Sequence, residues 1–210
     1  MQKPFEEARP KPYHHGDLRN ALIEAGIELL AEGGAAALDL RKVARRAGVS
    51  HAAPYRHFAD KQALVAAIDE RGFGLLAERI RLGLEAAPSD TAARLTAIAR
   101  AYVGFAHDRP WLMREMFSGL TVERETLPDL MAASKDVYYQ YAEVIRAGQR
   151  RGEIIDGEPA ALASVLWSLL HGVAMLTIEG QMSPYVATPE ALDRAIEYSI
   201  DLLIHGLGRR

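Results

Sequence analysis

An all-α fold of about nine helices is predicted by three features of this 210-residue sequence. Apolar residues recur at helical spacing in segment after segment, which gathers them on one face of a helix. Residues able to cap a helix stand before these stripes, at Asp39, Asp60, Ser89-Asp90 and Thr188, where a side-chain oxygen can accept from the free N–H groups of a first turn. Glycine or proline stands after them, at Gly33-Gly34, Gly48, Pro88 and Gly152, supplying a left-handed residue or a ring that cannot continue the helix.

Composition narrows the class. With 49% hydrophobic residues the chain can bury a core in one domain, or in a small one plus a larger one. The formal net charge of −3 means that any attraction to nucleic acid must come from a local basic patch and not from bulk charge. Zero cysteines exclude disulfides, thiolate zinc sites and thiol catalysis. With no signal peptide, a cytoplasmic location is expected.

In chain order, residues 1–13 carry Pro4, Pro10 and Pro12 among charges and are expected to form a mobile arm, with Lys3, Arg9 and Lys11 in reach of phosphate. His14 and His15 are adjacent, so they do not face one ligand point, and no carboxylate stands at helical spacing from them; no metal and no cofactor is expected. Gly16-Asp17 opens the first helix, striped by Leu18, Leu22, Ala25 and Leu29 and closed by Gly33-Gly34. It forms the base under the next two short helices.

Asp39 to Lys61 parses as two short helices and a tight turn. Leu40, Val43, Ala44 and Ala47 stripe the first, Asp39 caps it and Gly48 ends it. Ser50 can cap a second, running through Phe58, before Asp60 caps a much longer third. Arg41, Lys42, Arg45, Arg46, Arg56 and Lys61 are basic, and no acidic residue lies between Asp39 and Asp60. This is the pattern of a helix-turn-helix, in which one helix crosses the phosphate backbone and the next offers its first residues to base edges in the major groove.

Val43 to Lys61, reading V-A-x-x-A-G-V-S-x-x-x-x-Y-x-H-F-x-x-K, resembles the DNA-binding signature of the TetR family of transcriptional regulators. The resemblance implies an all-helical homodimer with a small N-terminal DNA reader, here 14–60, and a larger C-terminal domain, here 61–210, that binds an effector and dimerises. It also implies that Tyr55, His57 and Lys61 position the protein on phosphates. Arg41 and Lys42 are expected to act in the same way. His51, Ala52 and Ala53 are expected to face the bases, and Ser50 and Arg56 complete the DNA-contact set. One residue departs from the pattern. Pro54 removes the first N–H that should bond within a helix capped by Ser50, and its ring crowds the Ser50 carbonyl, so the recognition helix is expected to begin tighter or later than usual.

Beyond Asp60, Leu64, Ile68, Leu75, Leu76 and Ile80 continue one long helix to a stop near Pro88. Gly72 and Gly74 inside it weaken a helix by about 1 kcal/mol each relative to alanine and predict a bend between the two domains. Ser89-Asp90 starts the next helix, with Leu95, Ile98, Tyr102 and Phe105 on one face. Pro110 starts a short one, and a long one runs from about Pro128 to Gly152. Trp111, Met113, Met116 and Phe117 with Tyr138, Tyr141, Trp167 and His171 mix adaptable apolar groups with a few polar ones, and are expected to wall a ligand pocket.

Pro159–Ile178 carries no Asp, Glu, Lys or Arg. Ser164, Ser168, His171, Gly172 and Thr177 dilute it too far for a membrane span, so a helix buried on every side is expected. Ala160, Ser164, Ser168 and Gly172 repeat every four residues and offer a smooth face to a second subunit. The last helix follows Thr188-Pro189-Glu190 with Leu192, Ile196, Ile200, Leu203 and Ile204, and Ile196, Ile200 and Leu203 are expected to join that interface. Trp167-Ser-Leu-Leu-His171-Gly172 resembles the signature of the WHG type of TetR C-terminal domain.

No H-E-x-x-H, G-x-S-x-G, G-K-S/T phosphate loop or Glu-x-x-His pair occurs in the sequence. The expectation is therefore a regulator and not an enzyme: a repressor that binds a near-palindromic operator as a dimer and is released by a small apolar effector. The alternatives are a helical-bundle enzyme or small-molecule carrier using Trp167, His171 and the tyrosines, and a constitutive DNA binder without an effector.

Overall fold

The computed structural model describes residues 15–118, 127–182, 184–186 and 188–207. The arm expected at 1–13 lies outside them. Eight α-helices are present among the described residues: α1 (His15–Gly33), α2 (Leu40–Arg46), α3 (Lys61–Ala86), α4 (Thr91–Asp108), α5 (Pro110–Phe117), α6 (Pro128–Arg151), α7 (Pro159–Ile178) and α8 (Pro189–Leu207). Short 3-10 turns stand at Ala35–Ala37, Pro54–Arg56 and Pro184–Val186.

The start and stop chemistry is local. The Asp39 carboxylate accepts from the N–H groups of Arg41 at 2.8 Å and Lys42 at 3.2 Å, Asp60 from Ala63 at 2.9 Å, Asp90 from Ala93 at 2.8 Å, and the Thr188 hydroxyl from Ala191 at 3.2 Å. Each bond satisfies a donor that the helix itself cannot use. Gly48 and Gly152 close α2 and α6 with φ of 70°, a left-handed geometry that a side chain would strain.

The ninth expected helix, Ser50–Phe58, is a turn followed by the 3-10 turn Pro54–Arg56. Ser50 caps nothing with its side chain; its carbonyl accepts from Ala53 N–H at 3.0 Å. The next position, Pro54, has no N–H to offer. The regular ladder therefore never starts, and the Pro54 carbonyl is shared by the N–H groups of His57 and Phe58, both at 2.9 Å.

The long helix α3 organises the molecule. It packs on α1, α4, α5 and α6. Its stripe of Leu64, Ile68, Leu76 and Ile80 is fully buried. At the bend expected at Gly72 and Gly74, α3 keeps its helical hydrogen bonding, running without interruption from Lys61 to Ala86. Gly72 is a point of close approach, because a Cβ there would stand 2.6 Å from Met116 Sδ and 2.9 Å from its Cγ.

One expectation about the C-terminal pair of helices, the placing of Ile196 and Ile200 at a subunit interface, is corrected. Within this chain only Ala163, Leu166, Leu170 and Ala174 of α7 are buried, while Val165 and Leu176 are 52% and 43% exposed, so burial of α7 on every side would need a second subunit. This helix is also long and apolar enough to cross a membrane by length and composition. On α8, Ile196 and Ile200 point inward and are buried within this chain, because α8 packs on α4 with that stripe. Leu203 is half-buried against the same core. The apolar side chains that α8 leaves outward are Tyr198 and Leu202.

Gly72→Ala should therefore destabilise the protein by about 1–2 kcal/mol, overpacking against Met116 outweighing the gain in helix propensity. Gly74→Ala, with nothing within 4 Å of its would-be Cβ, should stabilise it by roughly 0.5–1 kcal/mol. Urea unfolding of the two variants checks both signs; a gain at Gly72 would mean that the close approach to Met116 is not a constraint.

Candidate nucleic-acid interface and interior aromatic cluster

The sequence-predicted DNA residues rest on a buried base. Val43, Ala44, Pro54 and Phe58 are all buried, and they hold the turn between α2 and α3 against α1. Above this base Arg41, Lys42, Ser50, His51, Ala52, Tyr55, Arg56 and Lys61 are exposed, while Ala53 and His57 are half-buried. Tyr55 is 54% exposed, so its ring and hydroxyl are open to a partner outside the chain. The N–H groups of Arg41 and Lys42, directed at Asp39, hold its carboxyl below the ordinary aspartate range, so the cap stays ionised while the basic side chains remain at the surface.

Two residues of the basic cluster are engaged within the chain. Arg46 pairs with Glu28 at 3.1 Å and Glu32 at 2.6 Å, two carboxylates of α1 that tertiary folding brings to a segment with no acidic residue of its own. The Lys61 ammonium donates to the Ala35 carbonyl at 3.1 Å. Both pairings are non-local, which is why the order of residues around Asp39–Lys61 does not reveal them.

Inside the larger helical group, the expected pocket residues do not form one wall. Phe117, Trp167 and His171 form one cluster with Phe73: the Phe117 ring lies 4.5 Å from His171, 6.1 Å from Trp167 and 5.5 Å from Phe73, and Trp167 stacks on His171 at 5.4 Å. At its centre is Tyr102, which the sequence marked only as a member of an apolar stripe. The Tyr102 oxygen accepts from Trp167 Nε1–H at 3.2 Å and lies 3.0 Å from His171 Nδ1. The Tyr102 hydroxyl thus links the indole of Trp167 to the imidazole of His171. Burial lowers the His171 pKa and raises that of Tyr102, so both groups are neutral. Tyr141 is fully buried, its pKa raised by burial and by the nearby Tyr102, and its hydroxyl has no hydrogen-bond partner among the described residues.

The other expected pocket residues lie apart. Met113 and Met116 are buried, Met116 beneath Gly72. Tyr138 bonds the start of α7 through the Ala160 carbonyl and, at 3.0 Å, the Ser164 hydroxyl. Trp111 is not in an interior wall: it is 43% exposed and covers Gly34 at the end of α1. The larger clefts of the described residues lie elsewhere, one of about 620 Å³ being bounded by Val103, Leu192 and Ile196 with Arg100 and His107. Among the described residues, no group of three or more His, Asp or Glu is placed to hold a metal.

A helix-turn-helix unit seated on a larger helical body defines a DNA-binding protein. Residues 22–68 match the family model described as bacterial regulatory proteins of the tetR family, and residues 95–203 match the tetracyclin repressor-like C-terminal domain. The chain belongs to the TetR family of transcriptional regulators. An HTH-type transcriptional repressor of Mycobacterium tuberculosis is 35% identical over 66 residues, 31% of this chain, and the match covers 35% of that protein's length. A nucleoid occlusion factor, SlmA of Sodalis glossinidius, is 30% identical over 159 residues, 74% of this chain and 80% of its own. A protein of unknown function from Rhodococcus sp. superposes with a TM-score of 0.83 at 32% identity, covering 95% of this chain and all of that one. FadR of Bacillus subtilis, solved in complex with stearoyl-CoA, shares the fold at a TM-score of 0.71 and 18% identity, covering 89% of this chain and 98% of its own.

Arg41→Ala and Lys42→Ala should each lower the salt slope of DNA binding by roughly 1, whereas Arg46→Ala should leave it unchanged. Binding to duplexes selected from a random pool, measured across a salt series, distinguishes the two behaviours. A slope reduced by Arg46→Ala would place that side chain on phosphate despite Glu28 and Glu32.

Proposed function

We propose that this protein is a repressor that binds a near-palindromic operator as a homodimer and leaves it when a small, uncharged, largely apolar effector enters each subunit. Residues 14–60 are the reader, 61–210 the effector and dimer domain, and the site of action is the cytoplasm. The observation that carries the reading is the exposed set of Arg41, Lys42, His51, Ala52, Tyr55 and Arg56 held over the buried Val43, Ala44, Pro54 and Phe58. Pro54 flattens the segment that meets the bases into a single 3-10 turn. With His51, Ala52 and Ala53 offering few polar groups, specificity rests on His51, on thymine methyls and on DNA shape.

The dimer reading is supported by α7 and α8. Val165 and Leu176 on α7, with Tyr198 and Leu202 on α8, leave apolar area outward that a four-helix contact would cover, and Ser164 and Ser168 return their hydroxyls to the carbonyls of Ala160 and Ser164, so nothing polar is stranded by close approach. In this arrangement Tyr198 and Leu202, and not Ile196 and Ile200, meet the partner.

The effector reading is supported by the Tyr102–Trp167–His171 cluster and by Tyr141. Their neutral donors suit a ligand with an oxygen acceptor on an apolar body, and no charged group of α7 is there to balance an ionised one. FadR of Bacillus subtilis, which shares the fold, was solved in complex with stearoyl-CoA, a further support for an apolar guest. A constitutive DNA binder is the second reading, favoured by the placement of the larger clefts away from this cluster.

Ser168→Arg or Leu202→Asp should convert the dimer to a monomer in sedimentation; a dimer surviving both would remove the α7–α8 interface. For the effector, neutral and ionised apolar compounds should be titrated against Trp167 fluorescence in a Trp111→Phe background and against binding to selected DNA. Neutral compounds should quench Trp167 and release DNA together, and Tyr141→Phe should weaken both effects by about 5- to 10-fold, the worth of one buried hydrogen bond. Quenching without release would sink the coupling.

A further inference from the structure

The geometry points to α5 as a clasp that sets the attitude of the DNA reader, with Trp111 and Arg114 as its positioning residues. The inference rests on the reader binding DNA and not on the effector. Arg114 fixes one side: its Nε donates to Glu179 Oε1 at 2.6 Å and its Nη2 to the Ile178 carbonyl at 2.9 Å, both at the end of α7. The same guanidinium lies 4.7 Å from the Trp111 ring centroid. Trp111 in turn lies against Gly34, where a Cβ would meet its Cζ3 at 3.3 Å. Gly34 has φ of 64° and leads into Ala35, whose carbonyl accepts the Lys61 ammonium.

A continuous run of contacts therefore joins the last turn of α7 to the residue that starts α3 and that the family motif assigns to phosphate. Each link is directional. The guanidinium fork fixes Arg114 in the plane of its two acceptors, a lysine could not both fork and stack, and a flat indole seats on a residue without a Cβ. One helical turn along from Trp111, Glu115 is buried, which raises its pKa, and Lys61 is near enough to oppose that rise. The same edge of α5 thus faces the reader at two successive turns, while Leu112 and Met116 hold the neighbouring edge on Gly72 of α3. Trp111, 43% exposed, spends its covered face on Gly34 and Arg114, which ties it to the reader on one side and to α7 on the other.

Because the chain has no cysteine, Asn20→Cys on α1 and Lys135→Cys on α6 give one spin-label pair per subunit when labelled chain is diluted with unlabelled chain. The interlabel distance distribution should be narrow, and should broaden in Trp111→Ala and in Glu179→Ala, with Trp111→Phe restoring most of the narrowness. In unlabelled protein, Trp111→Ala and Arg114→Lys should weaken binding to selected duplex DNA by about 3- to 10-fold, the range expected of a partly desolvated cation–π contact, with the salt slope unchanged and the melting temperature nearly so. Unaltered distance distributions in both Trp111→Ala and Glu179→Ala would overturn the clasp. So would broadening in Trp111→Ala alone, because the tie to α7 would then be absent. Failure of either kind leaves intact DNA binding and the reading of the protein as a regulator.

Discussion

The structure depends on the burial of one stripe along α3. Leu64, Ile68, Leu76 and Ile80 belong to one buried cluster with Leu22 and Leu30 of α1, Leu95 and Ile98 of α4 and Tyr141 of α6, the helices on which α3 packs. At roughly 1.5–3 kcal/mol for each fully buried aliphatic side chain, the four residues of the stripe outweigh the surface ion pairs around them, each worth about 0–1 kcal/mol. The ion pairs Arg71–Glu24 and Arg46–Glu32 refine where α1 sits on α2 and α3; the apolar stripe decides that it sits there at all.

Charge is distributed by what each surface must do. A net charge of −3 opposes DNA in general, yet the reader keeps Arg41, Lys42 and Arg56 exposed while Arg46 is held by Glu28 and Glu32. The body does the converse. Its α7 is free of charge from Pro159 to Ile178, and its interior polar groups are held neutral: Tyr102 and Tyr141 by burial, and His171 likewise.

Much of the fold was legible in the sequence because its signals are local. Asp39, Asp60, Asp90 and Thr188 cap the helices they precede, and Gly48 and Gly152 end theirs, since a cap needs only residues within one turn. Pro54 announced a disturbed recognition helix, and its consequence was larger than a shift of register. What failed was non-local. Gly72 could be weighed by propensity alone, whereas Met116, 44 positions on, makes it a close contact. Ile196 and Ile200 carried the apolar period of α8 but not the information that α4 would take that side, leaving Tyr198 and Leu202 outward. Trp111 looked like a pocket residue by composition, and its neighbour Gly34 could be known only once α5 was folded onto α1. Tyr102 went unmarked because an apolar stripe hides a hydroxyl that matters only when Trp167 and His171 face it.

The central claim, that a dimer presents two readers held at a fixed spacing by the bodies beneath them, is tested most directly by selecting bound duplexes from a random pool and mapping the protected bases. The account predicts one near-palindromic sequence, protected as two half-sites about 34–36 Å apart or a multiple of that, bound by two chains. Enrichment of a single unpaired half-site, or of no sequence at all, would contradict it.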